Sequence, residues 1–273
     1  MKKFIGIIGC GNMGRVILER NLKVDRAKNF IIFEKDKLRQ AFIIREFRSC
    51  VKTATDIVDL IRKADVVIIA VKPQDIDIVL GEIQRGMIRW RKKNLLIISI
   101  AAGIETKYIE DKISGEVKVV RAMPNMPAQI GKGITALKKG RFTTSGDLKT
   151  AKNIFASLGD TFEVSKEMYI DVVTALSGSG PAYICFIFAS MLAAAEAMGL
   201  DKKESNRLIY QTIIGSMDLL KEKKFDTKGL ISNVASKGGT TEAALKVFKE
   251  KKLEKIIIEA IMAAYNRAKK LSR

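Results

Sequence analysis

The chain contains no histidine. That absence excludes a Ser-His-Asp triad, a histidine general base and a histidine-rich metal site. Cysteine is scarce. Cys10, Cys50 and Cys185 are an odd set with neither CxxC nor metal-ligand spacing, so no metal is expected. Acidic residues are few relative to basic ones, 30 against 49, giving a formal net charge of +19 over 273 residues. Such a balance suits nucleic acid, membrane surfaces or anionic small ligands. The basic residues are scattered, as in "KKFIG", "KEKKF" and "KEKKLEK", with no arginine–aromatic array, so no nucleic-acid partner is expected. Long unbroken apolar runs are also missing. "ALSGSGPAYICFIFASMLAAAEAMGL" is interrupted by glycine, proline and serine in its first third. What remains is shorter than the roughly 20 residues that span a bilayer. It reads as a buried helix, not a membrane span. The N-terminus runs directly into a short strand without a cleavable apolar region, and the protein reads as cytoplasmic.

What is present is an alternating pattern. "KFIGIIG", "FIIF", "ADVVIIAV", "LLIISI" and, more weakly, "VKVVRA" read as strands. Amphipathic stretches from Met13 to about Asn21 and over Asp36–Phe47 read as helices. Runs apolar on both faces suit a parallel sheet covered on both sides, and strands separated by helices imply stacked βαβ units. From about Met168 the strand signal stops and three long segments read as helices. We therefore expect an α/β doubly wound Rossmann-like domain over residues 1–164 and an all-α domain over residues 165–273. Asp201 and Thr240 or Thr241 are expected to begin helices, and Gly199 to end one.

The first half carries a dinucleotide fingerprint. In "IIGCGNMGRV", Gly9, Gly11 and Gly14 stand in GxGxxG spacing between a strand and a helix. Gly9 permits the tight turn, Gly11 lets the backbone approach a pyrophosphate, and Gly14 allows close helix–strand packing. With Asn12 and Met13 they would place the pyrophosphate at the helix N-terminus, where free N–H groups and the helix dipole favour an anion. Glu34 follows the second strand, 20 positions after Gly14. There it would accept from an adenosine ribose diol, which suggests NAD. Lys35 and Arg39 would instead meet a 2′-phosphate, which suggests NADP. The residues leave both open.

Three further loops carry small or proline-stiffened residues. They are Ala70, Val71, Lys72 and Pro73 in "AVKPQ"; Ala101, Ala102 and Gly103 in "ISIAAGI"; and "RAMPNMPAQIGKG", which contains Asn125 between Pro124 and Pro127. In an open parallel sheet the ligand lies beyond the carboxyl ends of the strands. In the second half, Ser177, Gly178, Ser179 and Gly180 precede Pro181, and Ser179 or Gly180 is expected to cap the helix that follows. "SNVASKGGTTEAAL" sets Gly238, Gly239, Thr240 and Thr241 before another helix. Thr240 would cap it. A Gly-Gly turn also exposes consecutive N–H groups, a nest for a carboxylate.

"GCGNMG", "AVKPQ", "RAMPNMPA", "ALSGSGPAY" and "GGTTEAAL" resemble, in order and spacing, the pyrroline-5-carboxylate reductase family across nearly the whole chain. The resemblance implies reduction of the C=N bond of 1-pyrroline-5-carboxylate to L-proline with NADPH or NADH. It also implies helical domains interlocked in a homodimer, within rings as large as a decamer, with the substrate site at the dimer interface facing the nicotinamide. By position, Gly238, Gly239 and Thr240 would hold the substrate carboxylate through backbone N–H groups. Thr241 would contact the ring nitrogen as the catalytic residue, Val234 would line the pocket, and Ser177 to Gly180 would close it. The chain departs from the family pattern at Lys237, where proline is usual, and at Gly14, where alanine is frequent and the change is expected to be small. Two rivals are a β-hydroxyacid dehydrogenase using Lys166 or Lys202 as its acid, and a non-catalytic dinucleotide-binding protein.

Overall fold

The computed structural model describes residues 3–26, 29–47 and 50–272. Among these the strands are β1 (Phe4–Ile8), β2 (Asn29–Phe33), β3 (Val51–Thr53), β4 (Val66–Ile69), β5 (Leu96–Ser99), β6 (Lys118–Met123), β7 (Gly133–Lys139) and β8 (Gly159–Glu163). The helices of the α/β part are α1 (Asn12–Val24), α2 (Lys37–Phe47), α3 (Ile57–Lys63), α4 (Ile76–Arg89), α5 (Thr106–Ile113), α6 (Ser145–Phe155) and α7 (Met168–Val173). Those that follow are α8 (Gly180–Ala197), α9 (Lys202–Glu222), α10 (Thr227–Val234), α11 (Thr240–Glu250) and α12 (Leu253–Leu271).

The strands form one sheet in the order β3-β2-β1-β4-β5-β6-β7-β8. All neighbours are parallel except β6 and β7. Alternate residues of each inner strand feed opposite cores. Ile7, Ile32, Ile68, Ile98 and Val120 pack with Ile17, Leu18 and Phe155 of α1 and α6. Ile8, Ile31, Val67, Ile97 and Val119 pack with Leu60, Ile83 and Ile109 of α3, α4 and α5. Each such fully buried aliphatic side chain contributes about 1.5–3 kcal/mol, so the central strands hold this unit together. The chain winds outward in both directions from β1 and β4, and the crevice at their carboxyl ends is the switch point where doubly wound sheets bind ligands.

The doubly wound sheet followed by an all-helical region is the expected fold class. Three strands, β3, β7 and β8, were not expected. "RAMPNMPAQIGKG" is more than the single loop it was read as: it holds the end of β6, a short 3₁₀ turn over Met126–Ile130 and the start of β7. The chain divides into two compact units, one running to Ser179 and resuming at Ala264, the other Gly180–Ala263. The sequence reading divides it at 164 instead. Residues just beyond that point stay with the first unit because Val164 and Ile170 are buried together with Ala136 of β7.

Ser177 to Gly180 form no capping loop. The chain is helical throughout Met168–Ala197, with a π turn over Thr174–Gly178. Thr174 Oγ1 donates to the Ile170 carbonyl at 2.8 Å and Ser177 Oγ to the Val173 carbonyl at 3.1 Å, back-bonds that small hydroxyl residues use to adapt a helix. By length and composition this stretch is apolar enough to cross a membrane. The expectation of a buried helix fails for the single chain, since α8 is largely exposed, including Phe186 at 75% and Ile184 at 55%. Ile256 and Ile258 of α12 are exposed as well. In the second unit, Asp201 caps α9 as expected, accepting from Lys203 N at 2.7 Å and Glu204 N at 3.2 Å.

Candidate active site

Beyond the ends of β1 and β4 lies a cleft of about 600 Å³. Gly9, Gly11, Glu34, Lys35, Ala70, Val71 and Lys72 all line it, so residues far apart in sequence meet there. Pro73 opens a short 3₁₀ turn whose next residues, Gln74 and Asp75, reach the same cleft. Asn12, Met13 and Gly14 form the first turn of α1. Its N-cap is Gly11, no side chain caps it, and its first turn carries no acid, which leaves it suited to a bound anion. The space in front of Gly11 is open. These features fit the pyrophosphate of a dinucleotide.

Gly14 is fixed by close approach. A Cβ built there would fall inside the contact distance of the Gly9 carbonyl oxygen and 3.1 Å from Ala70 Cβ. The obstacle is backbone, which cannot rotate aside. Alanine at this position is therefore not a small change in this chain. We expect Gly14→Ala to cost about 1–3 kcal/mol by overpacking, with weaker nucleotide binding. Thermal denaturation with and without nucleotide checks this, and an unshifted melting temperature with unchanged affinity would refute it.

Glu34 is buried at the mouth of the glycine turn. Its carboxylate accepts from Cys10 N at 2.7 Å and Asp36 N at 2.9 Å. Burial, followed by the charge of Glu34, pushes the Cys10 thiol up to about 12, against the opposing effect of Arg39. Cys10 is thus a neutral thiol beside the phosphate turn, not a nucleophile. Ala101, Ala102 and Gly103 follow β5. Ala101 and Gly103 are buried, and a Cβ on Gly103 would collide with the Leu271 carbonyl. Packing against the end of α12 therefore explains that glycine without a ligand.

Asn125 joins two segments singled out from sequence. Its side-chain oxygen accepts from Ile134 N at 2.9 Å, and its Nδ2 donates to the Ser177 carbonyl at 3.3 Å. In an uninterrupted helix the Ser177 carbonyl would receive the N–H of residue 181. Pro181 has none, and the amide of Asn125 supplies the missing donor.

In the second unit, Val234 ends α10 and is exposed. Gly238 has φ +73, a left-handed conformation that favours glycine. Gly239, not Thr240, is the N-cap of α11, and no side chain caps this helix start. Thr240 and Thr241 are its first two residues. Gly238 and Gly239 open onto a hollow of about 470 Å³ also lined by Glu242, Lys246 and Lys249. A carboxylate already sits at this turn: Gly238 N donates to Glu242 Oε2 at 2.5 Å.

Sequence reasoning overlooked Arg121. It is 2% exposed, and its guanidinium meets Glu167 Oε2 at 2.9 Å and Asp171 Oδ1 at 3.7 Å. Glu167 Oε1 also accepts from Thr106 N at 3.0 Å and Thr106 Oγ1 at 2.6 Å, and Asp171 Oδ1 accepts from Ser272 Oγ at 2.8 Å. The network ties β6, α5, α7 and the end of α12. The one available signal was an arginine in the middle of the strand, between Val120 and Ala122.

Comparison with known proteins gives the same picture at both ends of the chain. A family described as "Pyrroline-5-carboxylate reductase dimerisation" matches residues 167–271. One described as "NADP oxidoreductase coenzyme F420-dependent" matches residues 4–103. A pyrroline-5-carboxylate reductase from Synechocystis is 32% identical over 271 residues, covering 98% of each chain. Among solved structures, a pyrroline-5-carboxylate reductase from Coxiella burnetii superposes with a TM-score of 0.89 at 35% identity over all of both chains. The pyrroline carboxylate reductase from Plasmodium falciparum, with NADP bound, superposes at 0.88 with 27% identity, again over all of both chains. A glycine-turn nucleotide cleft, an uncapped Gly-Gly helix start and likeness along the full length converge: the chain belongs to the pyrroline-5-carboxylate reductase family.

Proposed function

We propose that this protein is a pyrroline-5-carboxylate reductase, reducing the C=N bond of 1-pyrroline-5-carboxylate to L-proline with NADPH or NADH, the last step of proline biosynthesis. The observation that carries the assignment is the full-length likeness to pyrroline-5-carboxylate reductases, and the Gly238–Gly239 turn is consistent with it, since Gly238 N already takes a carboxylate, that of Glu242. An uncapped helix start that takes up a carboxylate from its own chain suits the carboxylate of an imino acid.

When bound, the reduced nicotinamide supplies the hydride that goes to the imine carbon. The chain's own residues bind and orient. The N–H of Thr240, and that of Gly238 once Glu242 gives way, hold the substrate carboxylate, whereas Gly239 N, also expected there, already donates to the Ser236 carbonyl at 3.0 Å. The Thr241 hydroxyl orients the ring nitrogen. Val234 lines the pocket, and Ser177 to Gly180 close it. Asn12, Met13 and Ala70 to Pro73 frame the nucleotide; Ala101 to Gly103 and Asn125, also expected there, are not among the residues lining the cleft. An imine nitrogen can be protonated before hydride arrives, so no strong side-chain acid is needed, in keeping with a chain that lacks histidine. Lys237, one residue before the turn, adds a favourable charge for an anionic substrate. A β-hydroxyacid dehydrogenase would need a lysine acid, but Lys166 and Lys202 are exposed and line neither hollow.

The protein is a homo-oligomer. Exposed apolar residues of α8 and α12 are the surface that a second copy would cover, which supports at least a dimer; a decamer is the larger ring we propose from the family resemblance. With that face covered, α8 serves as an interchain helix in a cytoplasmic protein and not as a membrane span. The direct test mixes purified protein with 1-pyrroline-5-carboxylate and either reduced cofactor. Oxidation of cofactor matched by L-proline formation is expected. No oxidation by a protein that binds both cofactors would overturn the assignment.

A further inference from the structure

We infer that this chain selects NADH over NADPH, and that Glu34 makes the choice. The inference rests on the dinucleotide reading of the first unit and deepens it. The two cofactors differ only at the adenosine ribose, where NADPH carries a 2′-phosphate. In this fold the ribose hydroxyls lie at the carboxyl end of the second strand. Glu34 stands there, directly after β2, and lines the cleft. It is 4% exposed and cannot swing into solvent, because Cys10 N and Asp36 N hold one oxygen each. Its acceptor oxygens suit a ribose diol, which donates hydrogen bonds. A phosphate donates none when ionised and brings like charge to a buried carboxylate.

Three cations line the cleft, Lys35, Arg39 and Lys72, and all three are exposed; the first two are already paired. Arg39 meets Glu34 at 3.4 Å and Asp36 at 3.5 Å, with its side chain 46% exposed. Lys35 meets Asp75 at 3.3 Å and is 78% exposed. Asp36 is itself fixed, accepting from Leu38 N and Arg39 N at the start of α2. A 2′-phosphate would therefore meet three carboxylates, Glu34, Asp36 and Asp75, and three exposed cations, and of these six charges Glu34 alone is buried. Exposed cations act through high dielectric and a buried anion through low dielectric, so repulsion prevails.

Equilibrium binding in the absence of imine tests this. NADH and NADPH are titrated by nicotinamide fluorescence, and ADP-ribose and its 2′-phosphate by calorimetry. The unphosphorylated member of each pair is expected to bind at least about tenfold more tightly. Glu34→Gln keeps an oxygen for Cys10 N but removes the charge, and should narrow each ratio by about tenfold. Equal or tighter binding of the phosphorylated members overturns the inference, as does a folded Glu34→Gln protein with unchanged ratios. Should that variant not fold, the wild-type ratios decide alone. Binding of neither nucleotide overturns both this inference and the dinucleotide reading. A preference for NADH without imine turnover removes the reductase reading and still supports the preference.

Discussion

Replacing Thr241 by alanine should lower kcat/KM for 1-pyrroline-5-carboxylate by roughly one to three orders of magnitude, the range for losing one catalytic hydrogen bond. The fold should not suffer. Thr241 is the second residue of α11, and its hydroxyl bonds to no described residue, unlike those of Thr174, Ser177 and Thr212, which donate back to the carbonyl four residues earlier. Truncating such a side chain usually changes stability by less than about 0.5 kcal/mol. A hydroxyl with no internal partner is available to a ligand. On the proposed role, in which that contact orients the reacting nitrogen, kcat should fall more than KM rises, and Thr241→Ser should restore most of the rate. Steady-state kinetics of both variants, beside their melting curves, decides the matter. Full activity in the alanine variant would remove Thr241 from the reaction.

The largest stability effect is expected at Arg121. Arg121→Met should cost about 3–5 kcal/mol, the usual penalty for removing one partner of a buried ion network. The loss comes less from the missing attraction than from what is left behind. Asp171 is itself buried, and Glu167 would keep only the Thr106 donors against its charge. Adding Glu167→Gln to Arg121→Met should therefore recover part of the loss, because it removes one stranded charge. Urea unfolding at fixed protein concentration measures this. A cost below about 1 kcal/mol for the single variant would show that water reaches the carboxylates and compensates them.

The sequence made some of this legible and hid the rest for physical reasons. β1, β4 and β5 announce themselves because both of their faces are buried, so they read as nearly continuous apolar runs, FIGII, VVII and LIIS. β8, "GDTFE", lies at the sheet edge with most of its residues exposed, and "VKT" of β3 is three residues long, too little for any period to show. The meeting of Gly9, Gly11 and Glu34 in one cleft could be anticipated because the glycines sit at a fixed offset from a strong strand. The helix through Pro181 could not, because the donor that replaces the proline's missing N–H comes from Asn125, 52 positions from Ser177. Arg121 was hidden in the same way, since Glu167 lies 46 positions away. Short-range patterns record local partners; charge networks are closed by the fold.

The return of α12 to the first unit bears on how the protein is made. Leu271 packs against Gly103, and Ser272 bonds to Asp171 across 101 positions. Domains ordinarily fold in order as they leave the ribosome, at about 5–20 residues per second. Here the nucleotide-binding unit emerges first yet lacks its final element until residues 264–272 have been synthesised. That unit can close only after the helical unit, Gly180–Ala263, has been synthesised.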